Sequence, residues 1–556
     1  MFDLTTPLLP APVRKRSTAV PAITFAALVV VALIRYTPLH SGVITASTIM
    51  PSQQEESDSH DECARGFSAD FIWGLGTAAY QIEGSPAAYG RAPSIWDNFS
   101  HTPGTTHNGD TGDVACDHVR RWREDIELMV WLGLKHYRLS LSWSRMMKWD
   151  VRRRTMVPNE DGINFYLELL EGLVSAGIKP YVTLYHWDLP QILHEQIGGW
   201  HTPSNDPIIE QFVLYARLCF ERFGHLVQIW FTFNEPWTFT VAGYSAGNHA
   251  PGCVPFQDHG GPCENGDTHP YIVAHNVLIA HARAVDLYRT DFAPAMEGKI
   301  SITLPCEMGI PATESAEDAT AAERANEFFL GWWLQPIVTG DYPEVMKQFV
   351  GSRLPRFSTE ESGLLRGSID ILSLNHYSTH LVSAASDDIR GDVSSGWAAD
   401  QRLKTSFDKT WPLSNSPWQR AYAPGIRLLL QWAVQRWDGP IFITENGWSC
   451  HSQSASAALV DEEQVSYFTN YTEQLRKSIT EDGVDVLGYF GWSLLDNYEW
   501  SDGYSKRFGV FWVDYSSQTR RPKASAWWWR RTRRPCSRER SLRMSTVKSI
   551  ILKFIN

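Results

Sequence analysis

The chain has 556 residues, 43% of them hydrophobic and 20% charged, a globular composition that excludes an intrinsically disordered protein. Its formal net charge of −12 excludes nucleic acid as the main partner. Its 24 tryptophans are far above an average share, which suits either an aromatic-rich core or flat apolar faces for sugar rings.

The first 40 residues read as a targeting segment. Arg14-Lys15-Arg16 precede an apolar run from Ala19 to Ile34, closed by Arg35. Those 16 residues are marginal for a membrane helix, which needs roughly 17–25, and fit the apolar core of a signal peptide equally well. Basic residues on the N-terminal side predict a cytoplasmic tail and a lumenal or extracellular remainder, held by a single-pass anchor through residues 19–34 or released by cleavage. Residues 41–66, rich in Ser, Gln, Glu and Asp, read as a linker.

From Phe67 onward, strand-like runs alternate with helical stretches. Strands are expected at Phe71–Gly76, Tyr137–Trp143, Lys179–Tyr185, Val227–Phe233, Ile300–Leu304, Ile369–Leu374, Ile441–Thr444 and Val486–Phe490. Apolar residues at helical spacing fill the intervals, as in Ile163–Ala176 and Ile208–Phe223. Eight such units over residues 67–530 fit an α/β fold, a (β/α)8 TIM barrel with large loop insertions forming a single catalytic domain. A doubly wound sheet is the rival, but no Gly-rich phosphate loop follows any strand. Pro522–Trp529 reads as the last helix, and the basic tail 531–556 carries no assignable role.

Two strand ends carry the chemistry. Trp230-Phe231-Thr232-Phe233 runs into Asn234-Glu235-Pro236, and 210 residues later Ile441-Phe442-Ile443-Thr444 runs into Glu445-Asn446-Gly447. Either glutamate alone is as easily a solvated loop acid. As a pair, they match what glycosidic hydrolysis demands: one carboxylic acid to protonate the departing oxygen and one carboxylate to attack the anomeric carbon. Glu235, between Phe233 and Trp237, sits where a proton is easier to keep; Glu445, before Asn446 and Gly447, sits where a charge is easier to keep. Polar residues also mark the other strands: Gln81 just past the first, Arg138 inside the second, His186-Trp187-Asp188 at the third, then Asn375-His376-Tyr377 and the stretch Trp492–Trp500. A lone strand-end histidine is more often structural, but barrels place active sites at these ends, and the coincidence of several is harder to dismiss.

The chain resembles family-1 glycoside hydrolases, retaining β-glucosidases, from about Phe67 to Trp529. Thr232-Phe233-Asn234-Glu235-Pro236 is similar to the family's acid/base motif and Ile443-Thr444-Glu445-Asn446-Gly447 to its nucleophile motif. The resemblance implies hydrolysis of terminal non-reducing β-D-glucosyl residues with net retention, by carboxylates about 5–5.5 Å apart. It also implies that Gln81, His186, Asn234, Glu499 and Trp500 bind the sugar and that Trp492 lies beneath its ring. Arg138 and Tyr377 would hold Glu445 ionised, and Trp332 would line the aglycone site. Glu499-Trp500 argue against a 6-phosphosugar, and Glu235, where plant thioglucosidases have Gln, argues for an O-glycosidase. Both glutamates are present, unlike in klotho-type co-receptors.

Eight cysteines without a C-x-x-C pair make a zinc site unexpected, and no metal or cofactor is called for. Cys253 and Cys263 resemble the disulfide-closed loop of secreted plant members. Asn98-Phe99-Ser100 and Asn470-Tyr471-Thr472 are glycosylation sequons, in keeping with secretory entry. The expected partner is a small-molecule or oligosaccharide β-glycoside; the oligomeric state is not legible. A non-catalytic sugar-binding co-receptor and a transglycosidase are the alternatives.

Overall fold

The computed structural model describes residues 66–203, 206–253, 267–385, 396–451 and 454–532. All of them belong to one compact unit, Ser57–Asn556. The apolar run 19–34, Cys263 and the tail from residue 533 lie outside the described residues.

Eight parallel strands close into a barrel: β1 (Ile72–Gly76), β2 (His136–Ser140), β3 (Lys179–Tyr185), β4 (Ile229–Asn234), β5 (Lys299–Pro305), β6 (Leu372–Asn375), β7 (Ile441–Glu445) and β8 (Val486–Trp492). Each pairs with its sequence neighbours, and β8 returns to β1 with Gly76 opposite Trp492, so no edge is left and the doubly wound alternative is ruled out. All eight expected strands are present. The second ends three residues early, because Trp143 already starts the short helix Trp143–Met146.

The barrel interior is filled by Tyr181, Ile229, Phe231, Ile371, Phe442 and Phe490. At Gly74 a Cβ would lie 1.7 Å from the Phe490 ring, so only glycine fits opposite that side chain. Residues of opposite parity face the helices: Trp230 meets Phe220 of the helix Asp206–Phe223 edge to face at 5.1 Å. The barrel is thus a solid plug, and ligand space lies beyond the strand ends.

The pairing of β4 with β5 shifts register between Phe231 and Asn234, and that of β7 with β6 shifts between Ile443 and Glu445. Such irregularities re-aim side chains at strand ends. In β4 the shift turns Phe233 out against Phe212, at a ring distance of 4.4 Å, and leaves Asn234 among the interior polar groups.

The last helix runs Ala524–Thr532 and therefore extends past Trp529 to include Arg530 and the first two residues assigned to the tail, Arg531 and Thr532. Arg530 lies over the Trp131 ring at 4.7 Å and donates to the Trp131 carbonyl.

Candidate active site

A cleft of about 520 Å³ opens at the strand ends, and both glutamates line it. Gln81, His186, Asn234, Tyr377, Trp492, Glu499 and Trp500 line the same cleft. Arg138 lies just beneath.

Glu445 ends β7 and is 4% exposed. Arg138 Nη1 donates to its Oε1, and Tyr377 Oη donates to its Oε2 at 2.8 Å. The second arm of the same guanidinium donates to Asn234 Oδ1 at 2.6 Å. Arg138 thus ties the two motifs together. Burial raises the Glu445 pKa, and Arg138 and then Tyr377 offset that rise only in part.

Glu235 follows β4 in a left-handed conformation, φ 46°, immediately before the helix Pro236–Tyr244. Proline at the first helical position lacks the N–H that would otherwise be unsatisfied, so the turn is built to end the strand and start the helix. Its donors are neutral: Asn375 Nδ2 to Oε1 at 2.8 Å and Thr238 Oγ1 to Oε2 at 2.9 Å. Burial and the nearby Glu445 charge raise its pKa to about 8. Trp187 (φ 77°) and Trp500 (φ 56°) share this strained backbone region, so three cleft residues hold costly conformations that the surrounding packing must enforce.

The polar wall is pre-oriented. Gln81 Nε2 donates to Asn497 Oδ1 at 3.0 Å and to Glu499 Oε2 at 3.3 Å, leaving Gln81 Oε1 and Glu499 Oε1 buried without partners. Asn234 Nδ2 donates to His186 Nε2 at 3.1 Å, which puts the ring proton on His186 Nδ1, also buried without a partner. Burial and Arg138 hold the His186 pKa well below its ordinary value, so the ring is neutral. Buried polar atoms without partners are rare, and here three border one cleft. Trp492 packs with Ala78, Phe508 and Tyr377, and lies near-parallel to His186 at 5.9 Å; Trp500 packs tilted by 31° against Trp187 at 4.4 Å.

One expectation needs correction. Trp332 is fully buried, packs against Tyr271 and Trp333, and does not line the cleft. Phe329, three residues earlier in a single π-turn (Glu327–Gly331), lines it instead. Four large aromatics crowd Phe328–Trp333, and the sequence pattern could not tell which one the π-turn would present. Trp418, 43% exposed, lines the cleft from a loop with no periodicity to reveal it. Asp188 and His376, polar strand-end residues by sequence, are buried away from the cleft wall. Asn375 was visible as a strand-end amide, but its bridging position was not.

Cys253 is disulfide-bonded; its expected partner Cys263 lies outside the described residues. Asn98 and Asn470 are both exposed. Among the described residues no cluster of His, Cys, Asp or Glu could hold a metal ion.

The model of glycosyl hydrolase family 1 matches residues 63–534. The chain belongs to that family. It is 44% identical over 461 residues to Beta-glucosidase 1B of Phanerodontia chrysosporium, covering 82% of this chain and 84% of the relative. Among solved structures it is similar to a family-1 β-glucosidase from the fungus Humicola insolens in complex with glucose, at 40% identity and a TM-score of 0.79 over 83% of this chain and 97% of that one. A rice β-glucosidase mutant in a covalent complex with Glc aligns at 38% identity and a TM-score of 0.80 over 84% and 98%. Family membership and the closed (β/α)8 barrel agree with the resemblance in the two glutamate motifs.

Proposed function

We propose that this family-1 glycosyl hydrolase is a retaining β-glucosidase in which Glu445 is the nucleophile and Glu235 the acid/base. The carrying observation is the unequal provision for the two carboxylates: a guanidinium and a phenol on Glu445, neutral donors alone on Glu235. A Glu445 oxygen attacks the anomeric carbon as the bond to the leaving oxygen breaks, and the Glu235 proton passes to that oxygen. Water then attacks the same carbon, Glu235 takes its proton, and the bond to Glu445 breaks. Two inversions give net retention.

Gln81, His186, Asn234, Glu499 and Trp500 would bind the terminal sugar, with Trp492 beneath the ring and Trp418 near the leaving group. Glucose is favoured because the similar proteins are named β-glucosidases and one is solved with glucose. The co-receptor and transglycosidase readings gain no support from these relatives. A panel of aryl β-glucoside, β-galactoside and β-fucoside under matched conditions tests the assignment. The glucoside should show the highest kcat/KM and release β-glucose first by NMR; a preferred galactoside, or α-glucose as first product, overturns it.

We propose secretory-pathway entry as well, supported by the basic-then-apolar start of the chain, the two exposed sequons and the disulfide at Cys253. No helix among the described residues is long and apolar enough to cross a membrane, and the run 19–34 lies outside them. Loss of a glycosidase-sensitive gel shift in Asn98→Gln/Asn470→Gln checks glycosylation; membrane fractionation separates an anchored from a released form.

A further inference from the structure

The end of the barrel opposite the cleft carries cations and apolar groups side by side. Lys135 immediately precedes β2 and Lys179 opens β3; both are exposed, and the Lys179 N–H donates to the Lys135 carbonyl at 2.8 Å. Two helices end at the same level. Val130 lies in the last turn of His118–Leu132 and Val174 in the last turn of Glu160–Ser175, 52% and 45% exposed. The last exposed acids of those helices, Glu127 and Glu171, stand about one turn further back.

The last helix completes this surface. Trp527 is 45% exposed and meets Trp131 edge to face at 4.8 Å. Arg530 donates to the Trp131 carbonyl, just before the loop into β2, and Arg531 beside it is exposed. That contact fixes where the chain leaves the barrel: at this end, away from the cleft. Residues 530–556 hold nine arginines and lysines against the single Glu539, in a chain of formal net charge −12. Apolar Met544, Val547, Ile551 and Phe554 recur in that sequence at intervals of three or four, with Lys548 and Lys553 between them.

Cations interleaved with exposed apolar groups suit one kind of partner. A wholly hydrophilic polyanion would pair with the arginines and lysines but leave Trp527, Val130 and Val174 in water. An anionic bilayer surface meets both: its headgroups take the cations, and the indole and valines enter the boundary between headgroups and acyl chains. The negative charge of the protein as a whole disfavours approach through its acid-rich faces, which makes the orientation selective. We propose that this end of the barrel, with the basic segment that follows it, docks peripherally on an anionic lipid surface and leaves the cleft directed away from the bilayer.

The test is co-sedimentation of the full chain with phosphatidylcholine vesicles, with and without phosphatidylserine. The readout is the ratio of the two partition coefficients, so that insertion of the apolar run 19–34 into both kinds of vesicle cancels. With about 30% phosphatidylserine the ratio should be about ten or more in low salt, and about two or less in about 0.5 M NaCl. Arg531→Glu/Arg533→Glu/Arg534→Glu should lower the low-salt ratio by about fivefold. Lys135→Glu/Lys179→Glu keeps the basic segment whole and should lower it by about threefold, which tests the folded face itself. Trp527→Ser should weaken binding to the anionic vesicles by about threefold. Thermal melts identify any variant that does not fold, and the remaining ones then decide. A wild-type ratio near one overturns the proposal, as does a high ratio that survives both charge variants. Capture by polygalacturonate beads without vesicle binding would assign the surface to an acidic polysaccharide and overturn the lipid reading.

Discussion

The ends of β4 and β7 are nearly the same piece of architecture with opposite electrostatic provision. Each is a buried apolar strand with a register irregularity in its last residues, and each delivers a glutamate to one cleft. Burial raises both pKa values. The difference lies in what faces each carboxylate: Arg138 and Tyr377 for Glu445, Asn375 and Thr238 for Glu235. Two identical acids in one desolvated site cannot both ionise cheaply, so the single guanidinium decides which carries the charge. Asn375 joins them, donating to Glu235 while its Oδ1 accepts from Thr444 Oγ1 at 2.8 Å.

The comparison breaks most completely when the charged member is removed. Glu445→Ala should lower turnover of aryl β-glucosides by about 10⁴-fold or more, since no other group can attack the anomeric carbon. Azide added to this variant should restore turnover by forming a carbon–nitrogen bond as the aryloxide leaves, with α-glucosyl azide as the product. Substantial unaided activity, or a β-configured azide, would place the nucleophile elsewhere.

Removing the proton carrier should be conditional instead. Glu235→Gln should cut kcat/KM for alkyl glucosides by about 10²–10⁴-fold, the usual share of general acid catalysis. With a 2,4-dinitrophenyl leaving group, which departs without protonation, the first step should survive and appear as a burst. The wild-type profile should fall as pH rises through about 8, because only the protonated Glu235 can donate. That limb should vanish in Glu235→Gln. An equal loss for both leaving groups would end the distinction between the strands.

Much of this contrast was legible before the fold was known, and the limits are physical. Apolar runs capped by polar residues marked all eight strands because a barrel strand buried on both sides must be continuous in hydrophobicity. The lean toward a proton on Glu235 came from Phe233 and Trp237, yet Phe233 faces away from the cleft, against Phe212. What lifts the Glu235 pKa is general burial and Glu445, which are contacts across the barrel. The register irregularities leave no mark in the residue pattern. The π-turn likewise hid the choice between Phe329 and Trp332, and Trp418 sits in a loop where no period applies. Side chains at single positions were readable where a strand end fixed them; those set by helix irregularity or loop path were not.

Between the extremes lies Tyr377, which tests whether the Glu445 end depends on more than Arg138. Tyr377→Phe removes the 2.8 Å donor to Glu445 Oε2 without emptying the site. A hydrogen bond to a charged group predicts a loss in kcat/KM of roughly tenfold or more. An unchanged kcat/KM would mean that Arg138 alone sustains the charge.

The smallest effect concerns stability and follows from the same asymmetry. Glu235 binds its proton up to about pH 8 in the folded state, against an ordinary carboxyl value of 4.5 in an open chain. Between these values the folded state holds a proton that the unfolded state has released, so stability falls as pH rises across that window. Below 4.5 both states are protonated and no penalty exists; above about 8 the penalty is complete. Glutamine does not titrate and keeps a similar shape. Glu235→Gln should therefore raise Tm relative to wild type more at pH 9 than at pH 5, by about 1–2 °C or more. Glu445→Gln should behave differently, because it leaves the Arg138 guanidinium buried beside a neutral amide and forfeits a charge-assisted contact. If both substitutions shift Tm alike across that pH range, burial alone governs the two strand ends and the guanidinium does not set them apart.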